Sequence, residues 1–282
     1  MHVDHELQLS NLTAHFRVWA ASDVGAVRRV NEDSFRAAPP AFVVADGMGG
    51  HSFGDRASQQ AIAAFADAFD PRQAATPQQV LSAISAANDA VVAISADAGR
   101  VSGTTLTGLA LVEMGAGGNF HWMAFNVGDS RVYRWDGRTL SQLTVDHSAV
   151  QELIDGGLIA PHEAALHPER NVITRALGVD AHVEPDIWLL PVSDTDTFLI
   201  CSDGLTKELD DREIALLLEQ HADGAPVPIA DRLVSAAIAA GGADNVTVIV
   251  VEAQFHGAMA ESDDTIERMP LQQYLEDTRP RR

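Results

Sequence analysis

Val43-Val44-Ala45-Asp46-Gly47-Met48-Gly49-Gly50-His51 decides how this chain is read. An apolar run stops at an aspartate, and three of the next four positions are glycine. A strand ending this way presents a carboxylate at a sheet end, and glycine lets the backbone turn sharply and approach a neighbour closely. Asp-Gly is also a common tight-turn pair. Taken alone, the stretch reads more readily as a turn than as a site. Its weight comes from acids elsewhere in matching settings.

Asp203 follows Leu199-Ile200-Cys201-Ser202 and precedes Gly204, and Asp244 stands before Asn245 at the head of the last apolar strand. Asp129 lies in Gly128-Asp129-Ser130 after Phe120–Val127, and Glu32-Asp33 sits between strands in Asn31-Glu32-Asp33-Ser34. Each of these acids, taken singly, is more often a turn cap. Gathered at one end of a core they would repel one another at a cost that a cation relieves. No histidine occupies a ligand-like position, and oxygen donors select a hard ion, Mg²⁺ or Mn²⁺. An acid beside glycine also offers a main-chain carbonyl as a further ligand. On the residues alone, the reading is a two-metal hydrolase with oxygen ligands.

Composition narrows the partners. The 282 residues are 46% hydrophobic and 21% charged, ordinary for a globular protein with a sizeable core. The balance of 40 Asp and Glu against 19 Lys and Arg is not ordinary, and gives a formal charge of -21. So acidic a surface repels phosphate backbones and anionic bilayers, which argues against nucleic-acid and membrane partners. The single cysteine, Cys201, excludes an internal disulfide and a cysteine-rich zinc site, and its apolar setting reads as a buried small hydrophobe. Met1-His2-Val3-Asp4-His5-Glu6 lacks the basic and apolar segments of a signal peptide. No apolar run reaches the roughly 20 residues of a bilayer span. A cytoplasmic monomer is expected.

Strand patterns fall at Phe16–Ala21, at 34–46 with a break at Pro39-Pro40, and at Leu106–Val112, Phe120–Val127 and Arg131–Trp135. They return at Asp186–Leu190, Thr197–Cys201 and Asn245–Glu252. Short Gly-rich turns between several of them favour antiparallel pairing. Helical periodicity covers Asp55–Phe69, Val80–Ile94 behind Thr76-Pro77, Val150–Asp155, Asp210–His221 and Pro228–Ala240, with a helical stretch near Val172–Leu177. Residues 1–15 read as a polar leader in which His2 and His5 are flexible-terminus histidines. Residues 256–282 read as a polar tail with a brief helix near 271–275. The predicted class is α+β, a four-layer αββα sandwich of two antiparallel sheets flanked by helices.

Six segments carry a resemblance. They are Arg28-Arg29-Val30-Asn31-Glu32-Asp33, Val44-Ala45-Asp46-Gly47-Met48-Gly49-Gly50, Gly103-Thr104-Thr105, Val127-Gly128-Asp129-Ser130-Arg131, Cys201-Ser202-Asp203-Gly204-Leu205 and Gly242-Ala243-Asp244-Asn245-Val246. In this order they resemble the motifs of the metal-dependent protein phosphatases, the PPM or type 2C family, in its bacterial form. The likeness spans roughly Phe16 to Glu252 and places a phosphatase domain at 16–255.

The resemblance implies that Asp46 bridges two Mn²⁺ or Mg²⁺ ions. Gly47, through its carbonyl, and Glu32 would serve one ion, Asp203 and Asp244 the other, and Asp129 a third. Asp33 would orient metal-bound water. Arg28 takes the place of the phosphate-binding arginine, while Arg29 reads as surface charge. Residues 146–178 resemble the flap that shapes substrate access. The implied reaction is hydrolysis of phosphoserine and phosphothreonine on proteins by a hydroxide bridging the two ions, with no phosphoenzyme, opposing a bacterial Ser/Thr kinase. Met48 stands where many eukaryotic members carry histidine, so the proton donor is unassigned; His51 fits a helix-entry role.

Three rivals follow from the same residues. A catalytically silent partner-binding domain of this fold predicts missing ligands, yet Glu32, Asp46, Asp203 and Asp244 are all present. A two-metal nuclease is disfavoured by the acidic charge. A phosphatase of small phosphoesters is separated by comparing such compounds with phosphopeptides.

Overall fold

Alternation within one strand sets the layers. The computed structural model describes residues 1–49, 53–98, 102–115, 117–222, 227–257 and 267–268, so His51 and the expected helix at 271–275 lie outside the described residues. In β4 (Ala41–Met48), Phe42 and Val44 join one buried cluster while Ala41, Val43 and Ala45 join another. Successive strand side chains point to opposite faces, so β4 is buried on both.

The first cluster is the seam between two sheets. Phe42 and Val44 meet Phe16 and Val18 of β2 (Leu12–Asp23), Phe198 and Ile200 of β11 (Thr195–Cys201), and Ile249 and Val251 of β12 (Val246–Gly257). Trp122 lies fully buried in this seam, with its Nε1 donating to Asp196 Oδ2 at 3.0 Å. A buried indole N–H needs such a partner. On the outer face of β4's sheet, Ala57, Ala61 and Phe65 of α1 (Gly54–Ala66) and Val80, Ile84, Ala87 and Val91 of α2 (Pro77–Ala98) complete the second cluster. Their spacings of three and four put them on one helical face. The outer face of the other sheet, with Leu199, buried Cys201, Val248 and Val250, packs on Ile214 and Leu218 of α5 (Asp211–Ala222) and on Leu233 and Ala237 of α6 (Ile229–Ala240). The layers therefore run helix, sheet, sheet, helix, as predicted.

Among the described residues one sheet has the order β1 (His2–Gln8), β2, β12, β11, β8 (Arg131–Trp135) and β9 (Leu140–Gln142). The other runs β13 (Glu267–Arg268), β10 (Asp186–Pro191), β7 (Phe120–Val127), β6 (Leu106–Glu113), β4 and β3 (Asp33–Ala38), with β5 (Gly103–Thr104) paired to the end of β4. Both sheets are antiparallel throughout.

Two local expectations fail. The polar leader at 1–15 is a strand: His2–Gln8 pairs in register with Thr13–Trp19, and His2 stacks on Trp19 at 4.9 Å. Only Leu7 of β1 is buried, so this edge strand carries almost no apolar signal. The stretch Val172–Leu177 is not helical either. Its main chain is spent elsewhere, with Thr174 N donating to His147 O at 2.8 Å and Leu177 N to Thr104 O at 2.9 Å. Within the flap, α3 (Ala149–Asp155) starts at Ser148, whose Oγ accepts from Gln151 N at 3.3 Å, and Pro161 opens a 3₁₀ turn to Leu166.

Candidate active site

At one end of the sandwich, the side-chain rows facing the seam change from apolar to polar. The row of β2 runs Phe16, Val18, Ala20 and then Ser22; that of β12 runs Val251, Ile249 and then Thr247. In the same sense Phe198 and Ile200 lead to Ser202, Leu111 and Leu109 to Thr107, Trp122 and Ala124 to Asn126, and Phe42 and Val44 to Asp46. Thr107, Asn126, Ser202 and Thr247 are wholly shielded from solvent. Ser22 Oγ and Thr247 Oγ1, on adjacent strands of one sheet, are 2.7 Å apart, and Ser202 Oγ donates across the seam to Asp33 Oδ2 at 2.8 Å, tying that sheet to the other.

The acids collect on this polar end. Asp33, the first residue of β3, is opposite Asp46 in the β3–β4 register. Thr105 fixes Asp46 by accepting from its N–H at 2.9 Å, and both Thr104 Oγ1 and Thr105 N donate to the Asp46 carbonyl. Glu32 is held by its main chain: its N–H donates to Asn245 Oδ1 at 2.8 Å, and its carbonyl accepts from Gly47 N at 3.2 Å and from Ser58 Oγ at 2.6 Å. Gly47 is obligatory here, since a Cβ would overlap the Gly54 carbonyl and come 2.7 Å from Glu32 O. Asp203 opens the single-turn helix α4 (Asp203–Thr206), and Asp244 enters from the turn before β12. Asp129 lies beyond the end of β7, where Gly128 N donates to His147 Nδ1 at 3.1 Å.

Electrostatics mark this group as unusual. Burial is the leading cause that raises each of Glu32, Asp33, Asp46, Asp129 and Asp203 above the ordinary carboxyl range. Asp33 is pushed up to about 7 and Asp129 to about 8. Neighbouring carboxylates add to the effect at Asp46, where Asp33, Asp203, Asp129 and Asp244 all contribute. Asp46 lies within hydrogen-bonding reach of Asp203, a contact that needs a shared proton or a cation.

Two side-chain cations answer these acids. Arg28 forks onto Asp244, with Nε to Oδ1 and Nη2 to Oδ2 both at 2.9 Å. Lys207 Nζ pairs with Asp203 Oδ2 and lies 3.2 Å from Asp244 Oδ2. In this arrangement no three Asp, Glu, His or Cys side chains among the described residues already clasp one ion. The chemistry of the donors nonetheless suits divalent ions. Asp129 Oδ1 and Asp203 Oδ1 are buried without a hydrogen-bond donor, whereas buried carboxylate oxygens are normally satisfied. Hard oxygen donors on five mutually repelling acids fit Mg²⁺ or Mn²⁺. Asp129, Asp203, Asp244, Arg28 and the flap residue Arg170 line one cavity of about 570 Å³.

Glu32, Asp33, Asp46, Gly47, Asp129, Asp203 and Asp244 are thus all at this end of the fold, and Arg28 reaches it through Asp244. Sequence reasoning passed over Asn245, His147, Lys207 and the roles of Ser202 and Thr105. Ser202 and Thr105 could have been found by continuing the strand parity, which places a polar residue next in each inward row.

Two antiparallel sheets between helical layers, with an acid cluster where the inward rows turn polar, define the metal-dependent phosphatase class. The chain belongs to the protein phosphatase 2C family, whose model matches residues 27–236. It is 35% identical over 243 residues to the serine/threonine phosphatase stp of Listeria welshimeri, covering 82% of this chain and 93% of that one. The crystal structure of the Mycobacterium tuberculosis serine/threonine phosphatase PstP/Ppp superposes with a TM-score of 0.73 at 38% identity, over 84% of this chain and 97% of that one. A PstP catalytic domain in complex with two manganese ions matches with a TM-score of 0.73 at 36% identity, over 86% and 99% of the two chains.

Proposed function

We propose that the chain is a metal-dependent protein-serine/threonine phosphatase using two Mn²⁺ or Mg²⁺ ions, and that it opposes a Ser/Thr kinase on phosphorylated proteins. The observation that carries this reading is the convergence of Glu32, Asp33, Asp46, Asp129, Asp203 and Asp244 on one polar end of the seam, three of them with orphaned buried oxygens. Asp46, Glu32 and the Gly47 carbonyl would hold one ion, and Asp46, Asp203 and Asp244 would hold the other. Bound there, the ions supply Lewis acidity and a water acidified enough to act as nucleophile near neutral pH.

The remaining roles fall to the chain's own groups. Asp33, anchored by Ser202, orients and accepts the proton of the attacking water. Arg28, half exposed on the cavity rim, exchanges Asp244 for the phosphoryl oxygens of the substrate, which match its planar fork. The flap around α3 and Arg170 limits access to the cavity. Replacing Asp46 by Asn tests the assignment. The variant should lose nearly all turnover of a phosphothreonine peptide in Mn²⁺, and retained turnover would remove Asp46 from the shared position.

A further inference from the structure

The flap is rich in aliphatic residues yet has no core of its own. α3 and the 3₁₀ turn Pro161–Leu166 bury none of their residues. Val150, Leu153, Ile154 and Ile159 are only partly buried, and Leu158 and Leu166 are 73% and 88% exposed. By contrast, α2 seats Val80, Ile84 and Val91 in the outer cluster. Large apolar side chains gathered on a surface mark a place where something docks. The same flap contributes Pro161, Ala164 and Ala165 to the lining of the cavity that also holds Arg28, Asp129 and Asp203. Arg28 itself is flanked in sequence by two exposed aliphatic residues, Val27 and Val30.

We propose that this aliphatic surface docks the substrate protein, and that it selects phosphorylated residues flanked by large aliphatic side chains. The inference deepens the phosphatase reading above and rests on it. A phosphorylated side chain that reaches Arg28 enters a cavity walled by the flap, so its sequence neighbours come to lie against the flap's exposed side chains. Covering Leu158 and Leu166 with leucine, isoleucine or valine removes apolar surface of both partners from water. Charge separates this occupant from the others that an apolar strip could take. A formal charge of -21 opposes a second copy of the chain and an anionic bilayer alike. An aliphatic stretch of a phosphoprotein brings no such repulsion, and its phosphate holds it at Arg28.

The test compares flanking residues rather than overall turnover. Full-length protein in Mn²⁺ is given a phosphothreonine peptide with leucine on both sides of the phosphothreonine, and a second peptide of equal charge with serine there. Para-nitrophenyl phosphate serves as a substrate without flanks. The wild type should show kcat/KM roughly tenfold higher for the leucine peptide, mainly through KM. The double variant Leu158→Ser/Leu166→Ser should lose that preference and keep the wild-type rate on para-nitrophenyl phosphate. Its melting curve should not move, because both side chains are exposed. Equal kcat/KM for the two peptides in the wild type, or a leucine preference retained by the variant, would overturn the docking role. An equal loss on para-nitrophenyl phosphate would overturn it too. Sedimentation covers the rival occupant: a wild-type dimer that the variant abolishes, with peptide preference unchanged, would give the surface to a second copy. Turnover of neither peptide by the wild type would instead overturn the phosphatase reading itself.

Discussion

Asp33 and Asp46 are direct cross-strand partners, two carboxylates set opposite each other at the head of the β3–β4 ladder. Both lie on the seam-facing side of their strands, where apolar neighbours Phe35, Ala37, Phe42 and Val44 continue the row. Like charges placed opposite each other weaken a sheet. Here the pair is retained because Ser202 holds Asp33 from the facing sheet and Thr105 holds the main chain of Asp46. The fold thus spends stability on keeping two acids together where cations can reach them.

That arrangement predicts how the metal-free protein responds to pH. Asp33 and Asp129 rise from an ordinary 3.8 to about 7 and about 8, and Glu32, Asp46 and Asp203 are raised as well. The folded chain therefore binds more protons than the unfolded chain between about pH 4 and pH 8, and its stability falls as pH rises through that window. In EDTA the melting temperature should be higher at pH 5.5 than at pH 8. Saturating Mn²⁺ should reverse the order, since the ions bind the ionised acids. A melting temperature in EDTA that climbs from pH 5.5 to pH 8 would contradict the placement of these acids.

Asn245 yields a second expectation. Its Oδ1 accepts from Glu32 N at 2.8 Å, and its Nδ2 donates to the carbonyls of Val24 and Val30, both at 3.0 Å. One buried amide thus ties the Asp244 turn to the loop carrying Arg28 and Glu32. Asn245→Ala strands three main-chain groups and should cost about 2–4 kcal/mol in urea unfolding. It should also weaken Mn²⁺ binding, whereas Asp23→Ala in the same turn region should leave metal binding unchanged.

Which parts of this were legible beforehand follows from what each residue contacts. Asp46 and Asp203 end apolar strands, and the period of two carries that information along the chain. Lys207 acts only because α4 places it one turn from Asp203, and four residues of helix leave no periodic trace. The edge strand β1 buries only Leu7 on a seven-residue strand, so its pattern is indistinguishable from a polar terminus. Val172–Leu177 has helical spacing, but its main chain bonds to His147 and Thr104, partners distant in sequence. Local pattern reports burial well; it does not report which distant main chain will accept a bond.

Gly47 tests the close approach at the heart of the site. A methyl group at this position would overlap the Gly54 carbonyl and press on Glu32 O from 2.7 Å. Both neighbours are main chain, so neither can swing aside. Gly47→Ala should lose about 1–3 kcal/mol of stability and should separate β4 from the start of α1. The loss should appear equally in EDTA and in Mn²⁺, which distinguishes a steric origin from a lost ligand.

His147 links the flap to Asp129. It is buried, its Nδ1 accepts from Gly128 N at 3.1 Å, and its own N–H donates to Gly128 O at 2.8 Å. Its Nε2 lies 3.0 Å from Arg175 Nη1 and 3.6 Å from Asp186 Oδ2. Asp186 also accepts from Arg175 at 2.9 Å, so the imidazole is clamped between the Gly128 turn and the base of the flap. His147→Ala would free the Gly128 N–H and loosen the turn that aims Asp129. By analogy with other groups that orient a metal ligand, turnover and Mn²⁺ affinity should each fall roughly tenfold. His147→Asn, whose Oδ1 can accept from Gly128, should recover part of that loss. Equal defects in the Ala and Asn variants would show that the ring acts by packing alone, and unchanged Mn²⁺ affinity in both would detach His147 from Asp129.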